Sequence, residues 1–325
     1  MTSIIQSYRC VFKPANDGLA NDPFPTPAPA PSSATTLSIF KGTNPNGLWR
    51  LYVVDDTANG DTGSIAGGWS MTIRTTALFT SSTFITINDS VTPPTKASPY
   101  PSSILVSNLI GNVVKVTATL KGFTHNYPGD VDILLDGPLD PSFIIPSLIL
   151  MSDAGGAPSV TNLTFTFDDS AAVRMPEEDP LTNGTFLPSN FGLGSDTFPL
   201  PAPIPSSATN LSIFNGKNPN GRWDLCVVDD TASDAGQIAN GWSLNITTEI
   251  PAPVIINPRL VGGFFQFNWL SVNGAFYKVE RKFDLGSPTW TTVLSFIGNG
   301  GLVGYFINTT GNSSPEFFRV EASQP

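Results

Sequence analysis

The chain has 325 residues, a net charge of −10 and a pI near 4.4. That balance excludes a nucleic-acid surface, which needs clustered positive charge, and adhesion to an anionic membrane, while it suits a cation such as calcium. Charged residues make up only 13%, about half the usual share. Together with 29 glycines and 30 prolines among many Phe, Thr, Val and Ile, this predicts strands and turns rather than long helices.

In chain order, the opening MTSIIQSYRC lacks the layout of a signal peptide, and no apolar run reaches the length of a membrane span. A Thr-, Ser- and Asn-rich, charge-poor chain with two cysteines, Cys10 and Cys226, offers neither a disulfide framework nor a zinc quartet. The expectation is a secreted or cell-surface bacterial protein whose export signal lies outside this sequence. A proline-rich stretch follows (residues 12–40), then NPNGLWRLYVVDDTANGDTGSIAGGWSMTI (residues 44–73). Asn-Pro-Asn-Gly is turn chemistry, because Pro fixes φ and Asn and Gly accept positive φ. Trp49, Leu51 and Val53 then alternate with polar or smaller neighbours, which places them on one face of a strand. The Asp/Gly-rich turn and the run from Trp69 complete a predicted hairpin with its tryptophans in the core.

Residues 82–185 hold VVKVTATLKGF, GDVDILLDGP, SLILMSDAGG and NLTFTFDDSA, four strand-like segments, and an acidic loop, MPEEDP, bracketed by prolines. After it the chain repeats itself. FLPSNFGLGSDTFPLPAPIPSSATNLSIF and NPNGRWDLCVVDDTASDAGQIANGWSLNI copy residues 12–40 and 44–73 at an offset of 174, which becomes 173 after one deletion in the turn. Trp223, Leu225 and Val227 alternate as Trp49, Leu51 and Val53 do. Residues 79–250 therefore read as one complete module. Residues 1–78 read as the later half of another, and since half a module cannot bury its apolar face, the expectation is a chain that starts inside a longer protein; a misassigned start codon is the alternative. After PAPVIINP, a stiff proline-rich linker, residues 251–325 give short alternating strands: FFQFNWLSVNG, AFYKVERKFDL, TWTTVLSFIG, LVGYFINTTG and EFFRVEAS. That is the pattern of a small immunoglobulin- or fibronectin-like sandwich.

The segments NPNGRWDLCVVDD and DAGQIANGWSLNI, with their N-x-x-G-x-W-x-L-x-V-x-D core, resemble the closing half of the P domain (Homo B domain) that follows the catalytic domain in subtilisin-like proprotein convertases. FTHNYPGDVDILLDGP and LILMSDAGG resemble that domain's early segments. The resemblance covers residues 79–250 fully and 1–78 in part, and the tail is similar to fibronectin type III-like modules of secreted bacterial proteins. It implies an all-β chain: tandem jelly-roll-like β-sandwiches, then an immunoglobulin/fibronectin-like one. It implies as partners other domains of the same polypeptide, a protease domain among them, and a protein or glycan ligand.

The family's Gly-Thr-Ser nucleophile segment is absent, and the single histidine, His125, falls where the P domain itself carries one. A serine-histidine-aspartate triad needs a carboxylate-oriented histidine base, so no catalytic residue is expected. The reading is a non-catalytic binding or structural segment; the alternative is the accessory region of a serine endopeptidase whose catalytic domain lies upstream. For metals, Asp229, Asp230 and Asp234 share a turn, Asp130 and Asp132 begin a strand and Asp153 ends another. Calcium takes six to eight oxygens, from carboxylates and carbonyls, so these are its candidate ligands. The plainer reading is that they cap strand ends and make Asx turns, since Asp55, Asp56 and Asp61 recur in the first copy.

Overall fold

The computed structural model describes residues 14–15, 24–43, 48–55, 60, 62–65, 68–69, 71, 73–192, 196–287, 289–308 and 315–325. The chain divides into two compact units, Met1–Met71 and Thr72–Pro325. Its described regular elements are strands and single 3-10 turns, so the chain is all-β, and no helix among the described residues is long and apolar enough to cross a membrane.

The second unit opens with β1 (Arg74–Ser81), β2 (Ile85–Ile87), β3 (Thr95–Lys96), β4 (Ser102–Val106) and the long β5 (Asn112–His125). It continues through β6 (Val131–Asp136), β7 (Ser147–Ser152), β8 (Val160–Phe167), β9 (Gly184–Phe186) and β10 (Ser189–Asn190). The repeated sequence supplies β11 (Gly221–Asp229), β12 (Gly236–Ile238) and β13 (Trp242–Glu249). In one sheet β5 is central: β13 and β12 lie along one side of it, edged by β1 and β2, and β8 and β9 lie on the other. The second sheet runs β10–β7–β6–β11, with β3 and β4 sharing the edge beside β11. Leu120, Phe123 and Phe165 of the first sheet meet Ile133, Leu135, Trp223 and Leu225 of the second in one core. The two indoles of this core find acceptors for their N–H groups: Trp223 Nε1 donates to the Pro219 carbonyl at 2.9 Å, and Trp242 Nε1 to Ser102 Oγ at 3.0 Å.

The inward alternation of Trp223, Leu225 and Val227 is as expected. The hairpin is not. β11 pairs with β6, β4 and β3, whereas β12 and β13 pair in the opposite sheet. Residues 230–235 form an arch between the sheets, because both strands bury an apolar face and each satisfies it by facing the other across the core. The outer face of β11 is covered too. Cys226 and Val228 pack with Leu134 and Ile149 beneath Phe198 and Ala202 of the proline-rich loop.

In the first unit, Leu37–Phe40 forms the same 3-10 turn as Leu211–Phe214, and Phe40 sits edge-on to Trp49 at 5.1 Å, as Phe214 sits by Trp223 at 4.8 Å. There the likeness ends. No strand occurs among the described residues up to Met71. Trp69 is 51% exposed where its counterpart Trp242 is 0%, and Leu51 is 50% exposed where Leu225 is 0%. The expectation of core tryptophans in the first copy is thus corrected. The core that encloses Trp223 and Trp242 draws much of its lining from residues 85–167, which the first copy does not repeat.

The remaining strands are β14 (Ile256–Val261), β15 (Phe264–Leu270), β16 (Phe276–Lys282), β17 (Thr291–Ile297), β18 (Leu302–Asn308) and β19 (Phe317–Ser323). They form two three-stranded sheets, β14–β15–β18 and β17–β16–β19. Phe267, Trp269, Tyr277 and Val279 fill the space between them, making a small sandwich, and Ile110 and Ile250 of the central sandwich pack against the same cluster.

Candidate cation centre

The candidate aspartates gather at one end of the central sandwich, where β6 begins and β7 and β11 end, and the backbone there splits them into two groups. Along β11, Asp229 continues the inward series of Trp223, Leu225 and Val227 and meets His125, at the end of β5. His125 Nε2 lies 3.2 Å from Asp229 Oδ2 with both side chains fully buried, and neither atom has an aligned hydrogen-bond partner. The other ring nitrogen is 2.8 Å from the Tyr127 carbonyl oxygen. Asp229 Oδ1 accepts the Thr231 N–H at 3.1 Å, an Asx turn as the plainer reading holds. Gly236 of β12 lies directly over this histidine: a Cβ there would sit 2.3 Å from the ring and 2.2 Å from the Thr124 carbonyl oxygen. Asp130 flanks the pair. Burial, then the charges of Asp229, Asp230 and Asp234, push its carboxyl up to about 6 against the pull of His125.

Asp132 belongs to the second group. It pairs in the sheet with Val228, so it faces outward from the core, yet it is 2% exposed. Burial, then Asp230, Asp196 and Asp153, push its carboxyl up to about 8, with the Ser152 hydroxyl acting the other way. One carboxylate oxygen from each of Asp132, Asp153 and Asp196 lies within 4.8 Å of the others. Two oxygens that each bind one calcium ion at about 2.4 Å are at most ~4.8 Å apart, so the three lie within reach of a single ion. Asp230 stands near enough to raise, and be raised by, these carboxylates; burial is the larger cause of its upward shift. Gly192 leaves room for the group, since a Cβ there would meet Asp153 Oδ2 at 2.7 Å.

Of the five sequence candidates, then, Asp132 joins Asp153 and Asp196, Asp229 faces the buried histidine, and Asp130, Asp230 and Asp234 stand close enough to one another for their charges to raise Asp130. Asp196 escaped the sequence reading because it sits in a loop, six residues past β10. A signal was there: the repeat places Asp22 opposite Asp196 and Asp56 opposite Asp230. Asp22, Asp56 and Asp61 lie outside the described residues. Asp132 and Asp153 come from the early half of the module and Asp196 from the repeated half, so the group spans the two.

Elsewhere carboxylates hold structure. Asp169 caps the 3-10 turn through the N–H groups of Leu211 and Ser212, both at 2.8 Å, and Asp168 pairs with Lys115 at 2.9 Å. The hollow beside them holds about 250 Å³, and another near Arg174 and Ser206 about 150 Å³; both are smaller than usual ligand pockets. Glu177, Glu178 and Asp179 of the acidic loop are exposed, as expected.

On the outer face of the second sheet, Asp136 stands opposite Asp224 in the β6–β11 pairing. Its Oδ2 accepts a long contact from Cys226 Sγ at 3.8 Å, and its Oδ1 is buried without a partner. Burial, then Asp224, push Asp136 up to about 7, the hydrogen bond from Cys226 and the charge of Arg222 opposing. The folded chain keeps this proton over a pH range in which the unfolded chain has lost it. Its contribution is therefore fullest near pH 4 and declines as pH rises towards 7, by at most about 1.4 kcal/mol per pH unit. In urea titrations, Asp136→Asn is expected to gain roughly 2–4 kcal/mol on the parent chain between about pH 4.5 and 7.5. A constant difference over that range contradicts this.

No family model matches the chain, and no curated protein matches it. Among solved structures, a β-1,2-glucanase from Parabacteroides distasonis aligns at 12% identity and a TM-score of 0.19, over 77% of this chain and 34% of that one. The glycoside hydrolase domain of Endo-D from Streptococcus pneumoniae R6 aligns at 9% identity and a TM-score of 0.16, over 78% of this chain and 33% of that one. The chain spans about a third of the length of each.

Proposed function

We propose that this chain is a non-catalytic segment of a secreted or cell-surface modular protein, with P-domain-like repeats and a fibronectin-like end, and that calcium clips together the two halves of its central sandwich. The observation that carries the reading is the carboxylate group. Asp132 and Asp153 from one half and Asp196 from the other converge, and the burial of Asp132 makes uncompensated negative charge there costly. A bound dication offsets that charge. The enclosure of His125 between Asp229 and Tyr127 supports a structural histidine rather than a base open to substrate. The second reading, an accessory region of a subtilisin-like serine endopeptidase, rests on the P-domain motifs; a triad-bearing domain encoded upstream in the same reading frame tests it.

Thermal melting tests the cation. A ligand at a hundred times its Kd stabilises by about 2.7 kcal/mol, so millimolar calcium is expected to raise Tm by about 5–10 °C. Asp132→Asn reverses the pattern: without calcium the variant melts above the parent chain, because the cost of burying an ionisable carboxyl is gone, and calcium no longer shifts it. A parent chain whose Tm ignores calcium ends the cation part of this proposal.

A further inference from the structure

Between β6 and β7 the chain makes a proline-rich loop, GPLDPSFIIP (residues 137–146), that leaves its apolar side chains in water. Phe143 is 85% exposed, Ile144 59% and Leu139 57%, and Ile145 is exposed as well. Ile204 stands at the base of the loop, 91% exposed, its carbonyl accepting the hydroxyl of Ser147, the first residue of β7, at 3.3 Å. Phe143 sits at φ 62°, in the left-handed region that glycine and asparagine enter easily and a bulky residue only at a cost. A ring so exposed gains no packing to offset that cost, so the strain points to a role outside the fold.

The backbone of the same loop depends little on water. Pro138, Pro141 and Pro146 have no N–H to satisfy. The Asp140 N–H donates to the Ile144 carbonyl at 2.9 Å and the Phe143 N–H to the Asp140 carbonyl at 3.0 Å. Asp140 Oδ1 accepts the N–H groups of Ser142 and Ile144 at 2.9 and 3.0 Å, and the Gly137 N–H closes the base on the Pro146 carbonyl at 2.8 Å. The one charged residue in the loop, Asp140, is paired through Oδ2 with Lys217 Nζ at 3.0 Å. Internal satisfaction of the backbone and neutralised charge are what an apolar solvent demands of a segment that enters it; water demands neither.

Composition and charge decide between a protein pocket and a lipid surface. Protein interfaces are enriched in Tyr, Trp, Met and Arg as well as Phe, and leucine is under-represented among their hot spots. This loop offers Phe, Leu and Ile with no Tyr, Trp, Met or Arg. Its paired charge suits a surface without net charge, and the chain's −10 opposes an anionic one. We propose that residues 137–146, with Ile204, form an interfacial anchor whose Phe143, Ile144 and Leu139 side chains insert into a zwitterionic phospholipid bilayer. Alone the anchor is weak, below the association constant of about 10⁴ M⁻¹ that a single myristoyl chain gives. It rests on this loop, and on neither the cation nor the family resemblance.

The test sediments the full 325-residue chain with sucrose-loaded phosphatidylcholine vesicles in EDTA, which keeps calcium out of the readout. About half of the chain is expected to pellet at a few millimolar lipid. Phe143→Asn is expected to weaken partitioning at least about fivefold. It should melt at or above the parent, because asparagine accepts this φ. Leu139→Ser with Ile144→Ser abolishes pelleting, and exchanging about a third of the lipid for phosphatidylserine weakens it in the parent chain. A parent chain that does not pellet with phosphatidylcholine, or variants that pellet as the parent does, overturn the inference. Pelleting with phosphatidylserine vesicles alone overturns the zwitterionic partner. A Phe143→Asn chain that melts below the parent overturns the anchor, because the ring then serves packing.

Discussion

Replacing Trp242 by alanine is expected to cost about 3–5 kcal/mol of stability, whereas replacing its repeat counterpart Trp69 costs less than about 0.5 kcal/mol. The two residues occupy the same position in nearly the same sequence. Trp242 is enclosed between the sheets and donates its indole N–H to Ser102, so alanine leaves both a cavity and a hydroxyl deprived of its donor. Trp69 is half exposed, and its removal takes little surface out of a packed environment. Urea unfolding of the two single variants reads the difference directly. Comparable losses would mean that the first copy is packed like the second.

The second large effect belongs to the buried pair of His125 and Asp229. Asp229→Ala is expected to destabilise by about 2–4 kcal/mol near pH 7, because it leaves a cavity against a fully enclosed imidazole and opens the turn that Asp229 closes through Thr231. Asp229→Asn keeps an oxygen for that turn and is expected to cost less. A loss below about 1 kcal/mol for the alanine variant would show the pair to be dispensable. The same variants separate the two acidic groups, because neither should alter a calcium response that depends on Asp132 and Asp196.

Much of the fold is legible in the residues. The period of two in Trp223, Leu225 and Val227, set between an Asn-Pro-Asn-Gly turn and an Asp/Gly-rich one, specifies a strand with one face in a core. The sheet it joins is not legible. Residues 230–235 are as compatible with a hairpin as with an arch, and the choice is made by distant partners, β6 for one strand and β5 for the other. One hint of burial on both faces was present, since Cys226 and Val228 are themselves apolar; what covers them, Phe198 and Ala202, comes from a loop that local pattern cannot place.

The acidic site shows the same limit. Asp132 and Asp230 were visible as residues at strand ends. Yet nothing in their spacing separates Asp132, which joins Asp153 and Asp196, from Asp130 two residues earlier, which lies beside the buried histidine. Within a strand, residues two apart share a face, but Asp130 closes the 3-10 turn Pro128–Asp130 ahead of β6, so the turn and not the strand sets its direction. Grouping by sequence turn therefore missed Asp196.

Equilibrium calcium binding to the intact chain, compared across single Asp→Asn variants, decides whether a cation joins the two halves of the central sandwich. One ion is expected to bind at millimolar calcium or below. Binding should weaken at least about tenfold for changes at Asp132 or Asp153 in the early half, and equally for Asp196 in the repeated half, while Asp130 and Asp234 variants bind as the parent does. A parent chain that binds no calcium, or variants at Asp130 and Asp234 that lose it while those at Asp132 and Asp196 keep it, would contradict a cation held between the two halves.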